Sequence, residues 1–311
     1  MKLKKMFAIG LFVSLVLMLL PVVVLAEARI RIYAPPTPSS IPLILAAQNL
    51  PDADITIFAN HSQAHTLFLR DDVQILVTGL SVGLDFFRQG IPVQIVNSYV
   101  SGLTYLVTKD KPVQTFRELQ GQELYLPFEG SPIEEITRFF AAREGLDLKK
   151  DFKVLYAPFP SVLELLKQGK VAAVALPEPS VTLAITQGNG QLAFGYKDKW
   201  DALTGGTTGY PQVGTFVKKS WAETHREVLQ RLDEELAKAL QLVKADPQKA
   251  VELTKTYFQF PDKILLTSLG RTAFDSKTAQ ALKQELTGYY QTIGSPLDEK
   301  TFNAFFGLDS K

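Results

Sequence analysis

Small hydroxyl residues recur where a predicted strand ends and a helix is predicted to begin. The pattern occurs four times, at Ser39-Ser40-Ile41-Pro42, Thr78-Gly79-Leu80-Ser81, Gly130-Ser131-Pro132-Ile133 and Glu178-Pro179-Ser180. A helix start leaves backbone N–H groups without partners and carries a partial positive charge, which suits an anion or a polar group. In open α/β sheets, ligands bind at the carboxyl ends of strands. Ser and Pro are also common at helix starts as capping residues alone, so both interpretations stay open.

Residues suited to catalysis or metal binding are few. The chain has no Cys, which excludes thiolate nucleophiles, Cys-ligated zinc, iron–sulfur clusters and redox pairs. His61 and His65 have metal-ligand spacing on a helix, but no H-E-x-x-H motif and no obvious third ligand accompany them. Glu134 and Glu135 are expected to complement a helix dipole and not to form an acid/base pair. The sequence therefore predicts no catalytic residue, no metal site and no cofactor.

The elements that would position the helix starts alternate between strand and helix. This order predicts an α/β protein with largely parallel sheets covered on both faces. The predicted strands are 29–34, 54–58, 73–78, 92–100, 103–108, 123–127, 152–156, 171–176, 192–194 and 212–217. The predicted helices between them are 40–49, 62–70, 80–89, 131–144, 161–168 and 181–187.

The last third of the chain is expected to be helical. Leucine and valine recur at intervals of three or four residues between 229 and 243, which predicts an amphipathic helix of about five turns. Asp246-Pro247 is typical of the start of the next helix, and Asp275 and Asp298 are predicted to cap two more.

Three motifs make a resemblance specific. They are Gly130-Ser131-Pro132 at a helix start, Gly145-Leu146-Asp147 at a helix end, and the segment 169–179, which ends in Glu178-Pro179. With these motifs the chain resembles the solute-binding proteins that serve ABC importers for nitrate, aliphatic sulfonates, taurine and thiamine precursors. The resemblance is strongest over 103–185, and the segment around 245–250 adds to it. The chain departs from the family in a shortened segment at 48–55 and in Ala172, where Asp is common.

The resemblance implies a type II periplasmic-binding-protein fold, with two α/β lobes, two crossing strands between them and a ligand cleft. One lobe is then expected to contain 29–106 plus 214–311 and the other 107–213, with 104–108 and 213–217 as the crossing strands. Eukaryotic thiamine-pyrimidine synthases are relatives, but their Cys-rich motif is absent from this Cys-free chain. The family match and the helix-start argument together give the ligand-binding candidates Ser39, Ser40, Thr78, Gly79, Thr104, Gly130, Ser131, Glu178 and Tyr210.

The first 26 residues have the three parts of a secretory signal. A basic start with Lys2, Lys4 and Lys5 precedes an uncharged apolar run, which ends in small residues. Cleavage after Ala26 or Ala28 would fit, and an uncleaved N-terminal membrane anchor is the competing interpretation. The 33 basic and 32 acidic residues leave no basic excess, which argues against a nucleic-acid partner.

The sequence therefore predicts an extracytoplasmic, monomeric solute-binding component of an ABC importer, with a small-molecule solute and a membrane permease as partners. Alternatives on the same fold are an exported enzyme, with Glu178 as its acid/base, and a ligand-sensing module. No Arg or Lys lies at the four helix starts. We therefore expect a solute that carries a hydrogen-bond donor or a positive group, such as a taurine-like amine or an aminopyrimidine, and not nitrate.

Overall fold

The computed structural model describes residues 29–306 and arranges their strands in two sheets. The predicted signal segment lies outside the described residues. In chain order the strands are β1 (Ile30–Ala34), β2 (Ala53–Ile57), β3 (Ile75–Gly79), β4 (Val93–Gly102), β5 (Thr104–Thr108), β6 (Glu123–Leu126), β7 (Lys153–Tyr156), β8 (Ala173–Pro177), β9 (Gln191–Gly195), β10 (Val213–Lys218) and β11 (Ala273–Thr278). The first sheet has the order β11-β4-β10-β3-β1-β2, and the second has the order β7-β6-β8-β5-β9.

Thirteen α-helices cover the sheets within the described part of the chain. They are α1 (Ser40–Ala47), α2 (His61–Leu69), α3 (Leu80–Arg88), α4 (Pro132–Arg143), α5 (Phe159–Lys167), α6 (Ser180–Gln187), α7 (Tyr196–Thr204), α8 (Lys219–Thr224), α9 (Arg226–Ala245), α10 (Pro247–Thr254), α11 (Asp262–Gly270), α12 (Ala279–Thr292) and α13 (Glu299–Phe305). Short 3₁₀ turns lie at Phe116–Leu119 and Lys255–Tyr257. None of the helices within 29–306 is both long enough and apolar enough to span a bilayer.

Both sheets are mixed, so the prediction of largely parallel sheets is wrong. Strands β1, β2 and β3 run parallel, as do β6, β7 and β8. However, β10 is antiparallel to β3 and β4, and β5 is antiparallel to β8 and β9. The chain leaves the first sheet through β5 and re-enters it through β10, and each of these strands lies between neighbours that run the other way. The alternation of strands and helices in the sequence does not predict that β5 and β10 run antiparallel to their neighbours.

Sheet membership changes where the chain crosses between the two halves of the molecule. Strand β4 ends at Gly102 in the first sheet, and β5 begins at Thr104 in the second. The return occurs between Gly195 and Val213. The predicted lobe boundaries at 106/107 and 213/214 stay predictions.

Burial follows the apolar sequence patterns. The apolar run around β8 is buried at every position of the strand, as expected for a strand covered on both faces. The leucine repeat forms one continuous helix, α9, whose buried residues include Leu229, Leu232 and Leu236. Asp246 caps α10, as predicted, and accepts a hydrogen bond from the Lys249 backbone N–H at 2.9 Å.

The prediction for Asp275 is wrong. It lies within β11, the edge strand of the first sheet, and accepts a hydrogen bond from Lys277 Nζ at 2.7 Å. Strand β11 mixes polar and apolar residues, as an edge strand beside charged side chains can. Because it has no continuous apolar run, the sequence gives no strand signal there, and the last third of the chain was predicted to be helical throughout.

Glu285 on α12 gives the fold a pH dependence. Burial, with a smaller contribution from the charge of Asp275, raises the pKa of its carboxyl to about 7, and Lys277 opposes the shift. The folded state therefore holds this proton more tightly than the unfolded state, so the contribution to stability falls as pH rises from the unfolded to the folded pKa.

We expect Glu285→Gln to raise the free energy of unfolding by about 1–3 kcal/mol at pH 8 and to change it little at pH 5. Urea denaturation at both pH values measures this. Glu234→Gln, at an exposed position on α9, is the matched control and should show no such pH dependence. A gain for Glu285→Gln that is the same at both pH values would contradict the assignment.

Candidate functional site

The start of α1 is held by short-range hydrogen bonds. Ser39 occupies the N-cap position, and its Oγ lies 2.6 Å from Thr37 Oγ1. Ser40 is the first helical residue, and its hydroxyl donates to the Pro35 carbonyl at 2.6 Å. Both side chains are buried. The two predicted site residues therefore shape the turn after β1.

Thr78 and Gly79 end β3 beside the first turn of α3. The Oγ1 of Thr78 lies 3.2 Å from Nε2 of His65, which also packs edge-on against Phe86. Burial lowers the pKa of His65 to about 4, with a smaller effect from His61. His65 is thus a neutral histidine with a hydrogen-bond partner. Within residues 29–306 no cluster of three or more His, Cys, Asp or Glu side chains could hold a metal ion.

Ser131 and Glu134 form the cap of α4. The Ser131 Oγ accepts from the Glu134 N–H at 3.1 Å, and a Glu134 carboxylate oxygen accepts from the Gly130 N–H at 2.5 Å. Arg138 and the hydroxyl of Tyr156 donate to the other carboxylate oxygen, at 2.8 and 3.0 Å. The capping role predicted for Glu134 is confirmed. Glu135 differs, because its carboxylate accepts a hydrogen bond from a tyrosine on α12.

The first turns of α3 and α4 contact each other, although the two helices pack on different sheets. A Cβ atom at Gly79 would lie 2.5 Å from Cγ of Pro132, so only glycine allows this approach. The Ser81 hydroxyl donates to the Gly130 carbonyl at 3.3 Å. The structure therefore brings Gly79, Gly130 and Ser131 together from positions about fifty residues apart.

Thr104 and Tyr210 lie where the chain crosses between the sheets. The Thr104 hydroxyl donates to Gln212 Oε1 at 3.1 Å, and the Tyr210 N–H donates to the Ser101 carbonyl at 3.1 Å. The Glu178 N–H donates to the Leu103 carbonyl at 2.9 Å. Three of the predicted site residues therefore share this crossing.

Glu178 is fully buried, and its carboxylate faces Arg271, which belongs to the half of the molecule that contains the first sheet. One carboxylate oxygen accepts from the Thr182 N–H at 3.1 Å, and Oε1 lies 3.6 Å from Nη1 of Arg271. The same Arg271 nitrogen donates to the Thr182 hydroxyl at 3.0 Å. The Tyr105 hydroxyl donates to the Arg271 carbonyl at 2.5 Å. We call Glu178, Thr182, Tyr105 and Arg271 the Arg271 junction.

Burial is the main electrostatic influence on the Arg271 junction. It raises the pKa of Glu178, and hydrogen bonds from Thr182 and the charge of Arg271 oppose this shift. Burial, together with the charges of Glu178 and Asp198, raises the pKa of Tyr105 to about 12. Within the described chain, Glu178 Oε1 is buried without a hydrogen-bond partner, and so is Nε2 of Gln212 near the crossing.

The nine predicted residues thus fall into three groups. Ser39, Ser40 and Thr78 bond within their own half of the molecule, at the ends of β1 and β3. Gly79, Gly130 and Ser131 form the contact between α3 and α4. Thr104, Glu178 and Tyr210 lie at or beside the chain crossing.

A family model for NMT1-like proteins matches residues 42–257 of the chain. This match covers well over half of the sequence and includes seven of the nine predicted site residues. The chain belongs to the NMT1-like family.

Solved structures of several solute-binding proteins share the fold of this NMT1-like protein. The periplasmic aliphatic sulphonate binding protein SsuA from Escherichia coli has a TM-score of 0.70 at 16% identity, over 92% of this chain and 95% of that chain. The periplasmic nitrate-binding protein NrtA from Synechocystis PCC 6803 has a TM-score of 0.69 at 13% identity, over 90% of this chain and 85% of that chain.

A third neighbour of the NMT1-like chain is the ligand-binding component of an ABC-type import system from Staphylococcus aureus, solved with zinc bound. It has a TM-score of 0.72 at 13% identity, over 90% of this chain and 98% of that chain. No curated protein sequence matches the chain. The resemblance predicted from the motifs and the two-lobed fold it implied are both confirmed.

Sequence reasoning missed Arg271 and Gln212. Arg271 follows α11 and lies 93 positions from Glu178 in the chain, with no motif around it. Gln212 was assigned to a predicted strand only. No local signal pairs these residues with the helix starts, since their proximity comes from the crossing of the two sheets.

We expect Arg271→Met to lower the free energy of unfolding at pH 7 by about 1–3 kcal/mol, because it leaves Glu178 buried without a cation. Adding Glu178→Gln should recover most of this loss. Arg138→Met is the matched control: its partner Glu134 keeps bonds from Gly130 and Tyr156, so the loss should be smaller. Additive effects of Arg271→Met and Glu178→Gln in urea denaturation would contradict a coupled pair.

Proposed function

We propose that the chain is the extracytoplasmic solute-binding component of an ABC importer. It captures a small polar organic solute, of the sulfonate/taurine or thiamine-precursor type, in the cleft between two lobes. The lobes contain residues 29–106 plus 214–311 and residues 107–213. The cleft residues are those at the helix starts and the crossing, and the protein works as a monomer that delivers solute to a membrane permease.

Family membership and fold support the kind of protein. One neighbour is the ligand-binding component of an ABC-type import system, two are periplasmic binding proteins, and all three share the fold over about nine-tenths of this chain. The periplasmic location of two of them agrees with the predicted signal at residues 1–26.

The observation that carries the choice of solute is that Glu178 Oε1, although 3.6 Å from Nη1 of Arg271, is buried and accepts no hydrogen bond within the described residues. Oε1 is a buried acceptor beside Arg271, and an unsatisfied buried acceptor costs free energy until a donor reaches it. An amine or amino group on the solute would supply that donor. The Arg271 side chain is 31% exposed, so its other N–H groups remain accessible to a sulfonate or another acceptor. A solute with both kinds of group fits this pair better than nitrate does.

A thermal-shift screen of the protein without residues 1–26 tests the solute class. Taurine, alkanesulfonates, nitrate, bicarbonate and aminopyrimidines are the compounds to compare. A solute present at 1,000 times its dissociation constant should add about 4 kcal/mol to the free energy of unfolding. We expect the largest shifts from compounds that carry an amine or amino group. Shifts confined to nitrate or bicarbonate would contradict the proposal.

Glu178→Gln then tests the proposed contact. We expect it to weaken binding of an amine-bearing solute by roughly 1.5–3 kcal/mol, because a charge-assisted hydrogen bond is lost. Isothermal titration of both forms with the same solute measures this. Glu144→Gln removes a carboxylate that pairs with Lys199 away from the cleft and is the matched control. Unchanged or tighter binding by Glu178→Gln would remove Glu178 from the solute-contacting set.

A further inference from the structure

Tyr289 on α12 inserts into the half of the molecule that contains the second sheet. Its ring stacks on Tyr210 with centroids 5.9 Å apart and an interplanar angle of 9°, and it lies 5.5 Å from the ring of Trp200. Its hydroxyl donates to a carboxylate oxygen of Glu135 at 2.9 Å. We call Tyr289, Tyr210, Trp200 and Glu135 the Tyr289 junction.

The three aromatic rings of the Tyr289 junction are buried. The exposed fractions of Trp200, Tyr210 and Tyr289 are 7%, 3% and 4%. Separating the two halves would expose three aromatic faces to water and would break the hydrogen bond to Glu135. Both changes oppose opening.

The contact of Pro132 with Gly79 is a second contact between the two halves of the molecule. Pro132 and Glu135 both belong to the first turn of α4, so opening the halves would break this contact and the Tyr289 junction at the same time. Gly79 has φ −60° and ψ 142°, an ordinary conformation that alanine also adopts. A methyl group there would act only through its collision with Pro132.

The hydrogen bond, the ring contacts and the contact of Pro132 with Gly79 are all made between residues of this chain. We propose that the Tyr289 junction is a latch that holds the two lobes closed through the protein's own contacts, and that it thereby sets solute affinity without touching the solute. The second part rests on the proposed function. Because a solute bound between the lobes requires the closed state, a smaller closed fraction weakens its apparent affinity in proportion.

Trp200 reports on the latch directly. The chain has two Trp residues, and the other, Trp221, stacks on His225 away from the junction. In a Trp221→Phe background, acrylamide quenching of Trp200 fluorescence at pH 8, with no solute added, measures access to the junction.

We expect Tyr289→Phe to keep the ring and lose the hydrogen bond, which leaves the Glu135 carboxylate without its partner. Quenching of Trp200 should rise about twofold or more, and solute affinity should fall about five- to tenfold. One control should match the parent: Tyr290→Phe removes a neighbouring buried hydroxyl that has no hydrogen-bond partner within the described residues.

A second pair of variants tests closure without altering the latch residues. Gly79→Ala should raise Trp200 quenching, and adding Pro132→Ala, which removes the colliding Cγ, should restore the parent value. Circular dichroism checks that each variant is folded. Parent-level quenching in both Tyr289→Phe and Gly79→Ala would overturn the latch. A failed solute screen would overturn the proposed function alone, because the quenching series uses no solute.

Discussion

Backbone hydrogen bonds at the chain crossing fix the position of everything that could bind a ligand. The Gln212 N–H donates to the Val100 carbonyl at 3.0 Å, and the Gln212 carbonyl accepts from the Leu80 N–H at 3.0 Å. The outgoing and returning segments are therefore joined to each other and to the first residue of α3. Because β10 returns between β3 and β4, the carboxyl end of β3 must face the second sheet. The approach of α3 to α4 follows from that geometry.

The buried carboxylate of Glu178 and the half-buried carboxylate of Glu135 lie at the contacts between the halves of the molecule, and their surroundings differ. Glu178 has a cation at 3.6 Å and one oxygen without a hydrogen bond, which is the condition of a group that can still take a partner. Glu135 accepts a hydrogen bond from Tyr289 at 2.9 Å beside an aromatic cluster. The surroundings of Glu178 suit binding of a solute, and those of Glu135 suit holding the two lobes closed. Burial raises the pKa of both carboxyls, and the partner from the other half, Arg271 or Tyr289, opposes that shift.

Local signals in the sequence predicted much of the fold. The helix start at Ser131-Pro132, the Asp246-Pro247 start and the apolar run of β8 each depend on residues within a few positions of each other. The motifs around Gly130 and Glu178 also predicted the family. Contacts that depend on the crossing could not be predicted in this way. Arg271 beside Glu178, Tyr289 against Tyr210 and Pro132 on Gly79 join residues at least fifty positions apart, and β11 lacks the apolar alternation that predicts a strand.

The central claim is that the cleft between the two sheets binds the solute. A crystal structure of the protein with the compound that gives the largest thermal shift tests it most directly. The account predicts electron density between the lobes, in contact with Glu178 or Arg271 and with a helix start of the first sheet, such as that of α1 or α3. Density on the outer surface of one lobe, with no contact to either residue, would contradict it.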